Sequence, residues 1–585
     1  MDQASRRAGL RGQLSVAGII IGCVGCVIIT ASSVYTALKM GSLPWPTIFT
    51  SITALVLLRA VGRTSLNEAN ITQVIMSAGS MVAGGLAFTI PGVWMLGLAD
   101  DVSWGEMLAV ALAGTLLGLV CTALIQRHFV EESDLEYPIG TAAAETLLAS
   151  KAGGSMGKKL FGSMAVAGLW AVVRDVLGWL PSLVLQVPVP GVAFGIQNSP
   201  MRWAVGFLAG RRSIIYWTIG AVVGWFGIVA CGSSLGMWDV STAQGIVSSL
   251  GMGLMMGSGA GVVVRDIALP LVRRVRAGRT KESAASSAEQ GNAGSAAATD
   301  AGGTRTAGGA GEADRPGFLS RFISRYDAGV LALMAAAAAL IVCFALDLGP
   351  AVAIVVTLLA FVTAIMSAQS VGQSGIDPME IFGLIVLLFV AAFSEATQVQ
   401  LFFVAGVIAV ACGLAGDVMS DFKTGQIIGT SPRSMWFGQA IGALLGTFVA
   451  VAVMVALVSA YGPSAFGGQD AMFVAAQAQV VATMVSGIPS VPAFVVGLVV
   501  GAVLYCAGIP SMMLGLGVYL PFYMSISTVL GAVIRWVYDR VCAARGLDTE
   551  ASEETGVVVA SGVLGGESIV GVIIAFATVA AGLAG

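Results

Sequence analysis

Histidine and charge are what this chain has least of. His128 is the single histidine among 585 residues, and Asp, Glu, Lys and Arg together make up 10%, against about 25% in soluble domains. One imidazole removes most histidine-based metal and nucleophile chemistry. There is no H-E-x-x-H and no G-x-x-x-x-G-K-S/T, so a zinc-protease helix and a nucleotide-binding P-loop are excluded. A disulfide frame is missing as well, because the eight cysteines are scattered through apolar segments and read as small buried residues. Cys23 and Cys26 form a C-x-x-C inside an apolar run with no second pair nearby, which argues against a zinc or redox site. No metal, no cofactor and no nucleic-acid partner are implied.

What is abundant is apolar. Hydrophobic residues make up 57% and the mean hydropathy is +0.90, which places the chain among polytopic membrane proteins. The basic N-terminus is followed by an apolar run from Leu14 to Ala37, too long for a signal-peptide core. Further apolar runs, each near the roughly 20 residues needed to cross, lie at about 44–62, 66–98, 104–126, 158–186, 191–210, 213–231 and 243–272. A second set follows at about 327–346, 349–368, 378–397, 399–416, 434–461, 471–487, 491–508, 511–536 and 555–583, giving about 16 crossings.

Between Ala277 and Gly317 there is no Val, Ile, Leu, Met, Phe, Trp or Tyr, so that tract cannot pack a core. The organisation expected is an N-terminal membrane half at 1–276, a disordered cytoplasmic linker at 277–317 and a C-terminal membrane half at 318–585. Arginines and lysines cluster at 6–11, 59–63, 127–159 and 273–279, opposite Asp100 and Asp101 if the helices alternate. The N-terminus and the linker should then be cytoplasmic and the protein multi-pass in the plasma membrane.

Within this oily background the polar residues carry the information. Asn70, Gln73, Ser77, Ser80 and Gly84 fall within an arc of roughly 80° if 66–91 is helical. Such a stripe must face other helices or a wet cavity, because an unpaired amide in hydrocarbon costs several kcal/mol. Interhelical hydrogen-bond glue is one reading and a substrate path the other. Three hundred residues later Ser370, Gln373 and Asp377 repeat the i, i+3, i+7 spacing. The repeat suggests two duplicated halves around one central site. The tracts 131–151 and 413–433 combine charge, glycine and a short apolar run, as re-entrant or broken helices do, although ordered cytoplasmic loops would also fit. Tyr137 with Pro138 and Gly140 could form one wall of such a site.

The strings SAGSMVAGGLAFTIP at 77–91, EYPIGTAAAETLLAS at 136–150, GQSGIDPMEIFG at 372–383, GDVMSDFKTGQIIGTSPR at 416–433, GLGVYLPF at 515–522 and SGVLGGESIVGV at 561–572 together resemble the oligopeptide transporter family. The resemblance covers nearly the whole chain apart from the linker and is nearer to the yellow stripe-like and prokaryotic members. The NPG-containing motif of the fungal and plant peptide branch has no counterpart. It implies an all-α membrane protein of about 16 transmembrane helices and secondary import coupled to protons, with short peptides or metal chelates as cargo. Asp377 precedes Pro378 where many relatives carry Asn.

Proton coupling requires a carboxyl that changes protonation within the protein. Glu145, Asp421 and Glu567 are the first candidates, with Asp417 beside Asp421 at i, i+4, sharing a proton with it or compensated by Lys423. Arg174 and Asp175 read as a structural ion pair, and Glu68 as an interfacial residue. The glycine pairs 114/118, 220/224, 442/446 and 497/501 indicate tight helix packing only. A membrane enzyme acting on a lipid-linked substrate is the alternative function, disfavoured by the missing chemistry; no catalytic residue is assigned. The cargo stays open between peptide, chelate and another zwitterion. So does the oligomeric state, with a homodimer among the options.

Overall fold

The computed structural model describes residues 13–40, 46–133, 135, 137–149, 155–189, 191–209, 211–262, 264–265, 326–374, 377–467, 471–486 and 488–584. The protein is an all-α polytopic membrane protein. Among the described residues nine helices are long and apolar enough to cross a bilayer, and shorter apolar helices lie between them. The linker 277–317 lies outside the described residues.

Three helices run side by side in the same direction at the centre. These are α1 (Val16–Met40), α3 (Leu66–Ala87) and α15 (Pro432–Tyr461), with α2 (Pro46–Ala60) packed against α3. Glycine makes the close approach possible. A Cβ on Gly442 would lie 2.1 Å from the Ile75 carbonyl oxygen, and one on Gly446 would lie 2.2 Å from Gly79 Cα. Gly442→Val should therefore force α15 off α3, at about 1–3 kcal/mol or more for overpacking. The check is a lower unfolding midpoint in detergent; an unchanged midpoint would contradict this packing.

α4 (Trp104–Gln126) runs antiparallel to α15, joined by Thr115 to Thr447 at 2.9 Å and by the Trp436 indole N–H, which donates to the Leu119 carbonyl at 3.0 Å. Its start is fixed by a capping box in which Ser103 and Glu106 bond each other's backbone. Beyond it come α5 (Pro138–Ala149) and α6 (Ser155–Ala171).

The runs read as crossings at 158–186 and 191–210 are not two spanning helices. α6 ends in a π-helical turn at Val172–Val176, and an antiparallel hairpin follows, β1 (Leu183–Val189) paired with β2 (Val192–Gln197). Pro181, Pro188 and Pro190 cannot donate within a helix, and Gly191 at φ +73 makes the turn. α7 (Pro200–Leu208) then starts from a Ser199 cap, followed by α8 (Arg211–Ala221) and α9 (Val240–Val262).

The second half holds α10 (Ala328–Leu340), α11 (Gly349–Ser374), α12 (Met379–Phe393), α13 (Gln398–Gly416) and α14 (Val418–Ile428) before α15. After α15 come α16 (Ala476–Ser486), α17 (Val491–Cys506), α18 (Ser511–Tyr519), α19 (Phe522–Ala544) and α20 (Thr549–Ala584). The run 511–536 is two helices, because Pro521 separates α18 from α19. All four glycine pairs sit at tight contacts: 114/118 on α13, 220/224 on α18, 442/446 on α3, and 497/501 on the backbone of α9.

Candidate functional site

Two short helices interrupt the bundle and meet each other. α13 ends at Gly416, Asp417 leads into α14, and α14 stops at Gly429, whose φ of +90 lets the Gly429 and Thr430 N–H groups both donate to the Gly425 carbonyl at 2.8 Å. α5 lies on α14 through Gly140, where a Cβ would fall 2.1 Å from the Ser420 carbonyl oxygen. The Thr424 hydroxyl donates to the Gly140 carbonyl at 2.8 Å. These elements fall in the tracts 131–151 and 413–433; α13 and α14 together make one helical stretch, Gln398–Ile428, with Asp417 itself at helical φ −61 and ψ −37, and much of α14 is buried.

α14 presses Asp421 onto the polar stripe of α3. Gln73 Nε2 donates to Asp421 Oδ1 at 2.6 Å and Ser77 Oγ donates to Asp421 Oδ2 at 2.5 Å. Asn70 Nδ2 donates to Thr430 Oγ1 at 3.3 Å and approaches Met435 Sδ at 3.6 Å, while Ser80 Oγ donates within its own helix to the Ser77 carbonyl at 2.6 Å. All four stripe residues and Asp421 are at most 1% exposed. Of the two readings of the stripe, contact with other helices or a wet cavity, this state has the first: the stripe is packed beneath α14. Residues assigned separately to cargo and to coupling are joined in one contact.

A vestibule lies next to α14, and Phe422, the neighbour of Asp421 in sequence, is part of its wall. Its cavity of about 470 Å³ is lined by Gln13, Gln126, Glu131, Phe422, Gln426, Thr430 and Met435, while Gln73, Ser77 and Asp421 are not among its lining residues. The amide oxygens Oδ1 of Asn70 and Oε1 of Gln73, Gln126 and Gln439 are buried without hydrogen-bond partners. Unpaired buried acceptors call for donors, from water or from a ligand's ammonium and N–H groups.

The second polar set does not copy the first. Ser370 and Gln373 occupy the last turns of α11, which ends at Ser374, and Asp377 stands in the turn before α12, so the three do not share one helical face. Ser370 is buried; the Gln373 side chain is outside the described residues. Asp377 lies beside Gly416, with neither carboxylate oxygen hydrogen-bonded. Its polar neighbour, the Ser367 hydroxyl, donates instead to the Cys412 carbonyl at 3.2 Å. Tyr137 is fully buried and its hydroxyl donates to the Ala368 carbonyl at 3.1 Å, which ties α5 to α11 and leaves no face toward the vestibule.

Of the remaining carboxyls, Glu145 lies on α5 with its side chain outside the described residues. Asp417 marks the α13–α14 junction. Glu567, on α20, sits far from the vestibule. Arg174 Nη2 is 2.9 Å from its Oε1, the Ser199 hydroxyl donates to the same oxygen at 2.8 Å and the Met201 N–H donates to Oε2 at 2.8 Å. Arg174 also holds Asp175 through two 2.6 Å bonds, as its neighbour in sequence suggested. The carboxylate is thus engaged on both oxygens and anchors α20 to the hairpin junction. Glu68 pairs with Arg63 at 3.4 Å at the helix entrance. The spacing G-x-S-x-G occurs at 153–157, part of which lies outside the described residues, and at 232–236, where it continues π-helical turns rather than following a strand and so is no nucleophile elbow.

A model of the family described as OPT oligopeptide transporter protein matches residues 13–578. The chain is 24% identical over 615 aligned positions to a putative oligopeptide transporter of Haemophilus influenzae, with 93% of this chain and 92% of the relative covered. Two probable metal-nicotianamine transporters of Oryza sativa subsp. japonica match over shorter stretches. One is 28% identical over 37% of this chain and 32% of its own length, and the other 25% identical over 34% and 32%. Nothing in these likenesses supports the membrane-enzyme alternative, and members of the matched family are transporters. From end to end, then, this multi-pass chain belongs to the OPT oligopeptide transporter family.

Proposed function

We propose that the chain is a secondary, proton-coupled importer of small zwitterionic solutes, peptides or metal chelates, working by alternating access about the α3–α14 contact. The observation that carries the proposal is buried Asp421 held between Gln73 and Ser77, one residue from Phe422 in the wall of the vestibule. An acid at that depth, clasped by neutral donors, can exchange its proton when α14 lifts, and the same movement would bare the amide stripe to a solute. The orphaned amide oxygens suit a cargo that brings N–H donors. The names of the relatives, oligopeptide and metal-nicotianamine transporters, motivate the two cargo classes. With the N-terminus in the cytoplasm of a plasma membrane, the vestibule at Gln13 would open inward.

Uptake by the purified full chain in proteoliposomes tests this. Tripeptide or chelate should accumulate against its gradient when the proton gradient is directed inward, and a protonophore should collapse the accumulation. In Gln73→Leu, which removes a partner of Asp421, coupled uptake should fall by at least about tenfold, roughly 1.4 kcal/mol. Accumulation indifferent to the proton gradient would refute the coupling.

A further inference from the structure

Arg202 is 1% exposed, yet among the described residues no carboxylate pairs with it directly, and Glu567 acts on it only at a distance. Its Nη2 donates to the Lys39 carbonyl at 3.1 Å, Nη1 has no hydrogen-bond partner, and it forms no ion pair. The acid of this region, Glu567, is taken by Arg174, Ser199 and Met201. Lys39, part-buried in the last turn of α1, is likewise without a carboxylate and sits 4.8 Å over the Tyr35 ring. Three cations, Lys39, Arg174 and Arg202, thus face two carboxylates, Asp175 and Glu567.

A guanidinium cannot shed its proton, so burial without a directly paired anion leaves it only partly compensated. Its position makes this worse. Arg202 stands in the first turn of α7, where the helix dipole already adds positive potential. The place is also distinct from the vestibule: Lys39 stands in the last turn of α1 and Gln13 just before its first residue, with the roughly 35 Å length of the helix between them. The surroundings are aromatic and hydroxyl-bearing. Tyr35 and Tyr461 pack on Phe473 at 5.6 and 5.7 Å, and the Ala475 N–H closes that loop onto the Leu38 carbonyl at 2.8 Å.

We propose that Arg202 and Lys39 form a receptor for an oxyanion ligand on the face opposite the vestibule, the forked guanidinium taking two oxygens of a carboxylate or phosphate. The proposal deepens the transport reading if the oxyanion is the cargo's own carboxylate, and the alternative source is a lipid headgroup phosphate. The test is equilibrium binding, with no proton gradient, so its failure is separate from a failure of coupling. The full chain in nanodiscs of neutral phosphatidylcholine is unfolded thermally with trialanine, trialanine amide or inorganic phosphate, and again in discs containing phosphatidylglycerol.

A rise in midpoint with trialanine but not its amide, lost in Arg202→Met and weakened in Arg202→Lys, supports the cargo carboxylate. A rise with phosphate or phosphatidylglycerol alone, lost in the same variants, supports the lipid source. Without any anion, Arg202→Met should unfold at a higher temperature than the wild type, which a merely structural arginine would not allow. An anion response equal in wild type and Arg202→Met, no response to any anion, or a lower anion-free midpoint in Arg202→Met would each overturn the proposal.

Discussion

Asp421→Asn is expected to abolish proton-driven accumulation while leaving folded protein in the membrane and cargo exchange between the two sides intact. The asparagine keeps the shape of the side chain and one oxygen that can accept from Gln73 or Ser77, so the α3–α14 contact loses about one charge-assisted hydrogen bond, of order 1.5–3 kcal/mol. What it cannot do is carry a proton. Accumulation should fall by two orders of magnitude or more, about 2.7 kcal/mol, in the same proteoliposome assay, and counterflow of labelled cargo should persist. Retained accumulation would remove Asp421 from the coupling step; loss of both activities would make it a packing residue only.

The largest effect on stability is expected for Arg174→Met. Arg174 lies beside Glu567, itself 1% exposed, and also donates to the Asn198 carbonyl at 2.6 Å. Methionine fills much of the space and leaves Glu567 buried without its cation. Breaking a buried pair in this way costs about 3–5 kcal/mol. The yield of folded protein and its unfolding midpoint should both drop sharply. The double variant Arg174→Met with Glu567→Gln should recover part of the loss, because the uncompensated charge is gone. A single variant as stable as the wild type would show that the hydroxyl of Ser199 and the N–H of Met201 suffice to hold Glu567.

The polar residues of the site were legible because amides and acids are conspicuous in apolar helices. Asn70, Gln73, Ser77 and Asp421 all stand out that way. What the sequence could not tell was that Gln73 and Ser77 bond Asp421, since the pairing spans more than three hundred residues and depends on how α14 follows α13 at Asp417. The partners of Glu567 were hidden for the same reason: its glycine-lined stretch pointed to tight packing, but Arg174 and the Ser199 turn that hold it come from far away in the chain. The hairpin at 183–197 was hidden by its Val and Leu content, although Pro188, Pro190 and Gly191 were a legible warning against a helix. Arg202 was passed over within the apolar stretch 200–208, where one intramembrane arginine was itself the signal.

The account stands on α14 leaving α3 during transport, so that a stripe now dry meets water and cargo. Ser77→Cys, in a protein whose eight native cysteines have been replaced and whose uptake is retained, reports this through its reaction with a small cationic methanethiosulfonate. In resting proteoliposomes the thiol should react slowly, and with cargo and an inward proton gradient at least about tenfold faster, since mixed-disulfide formation with release of methanesulfinate samples the open population. A thiol that never reacts while uptake proceeds would mean that the stripe stays sealed and that the solute passes elsewhere.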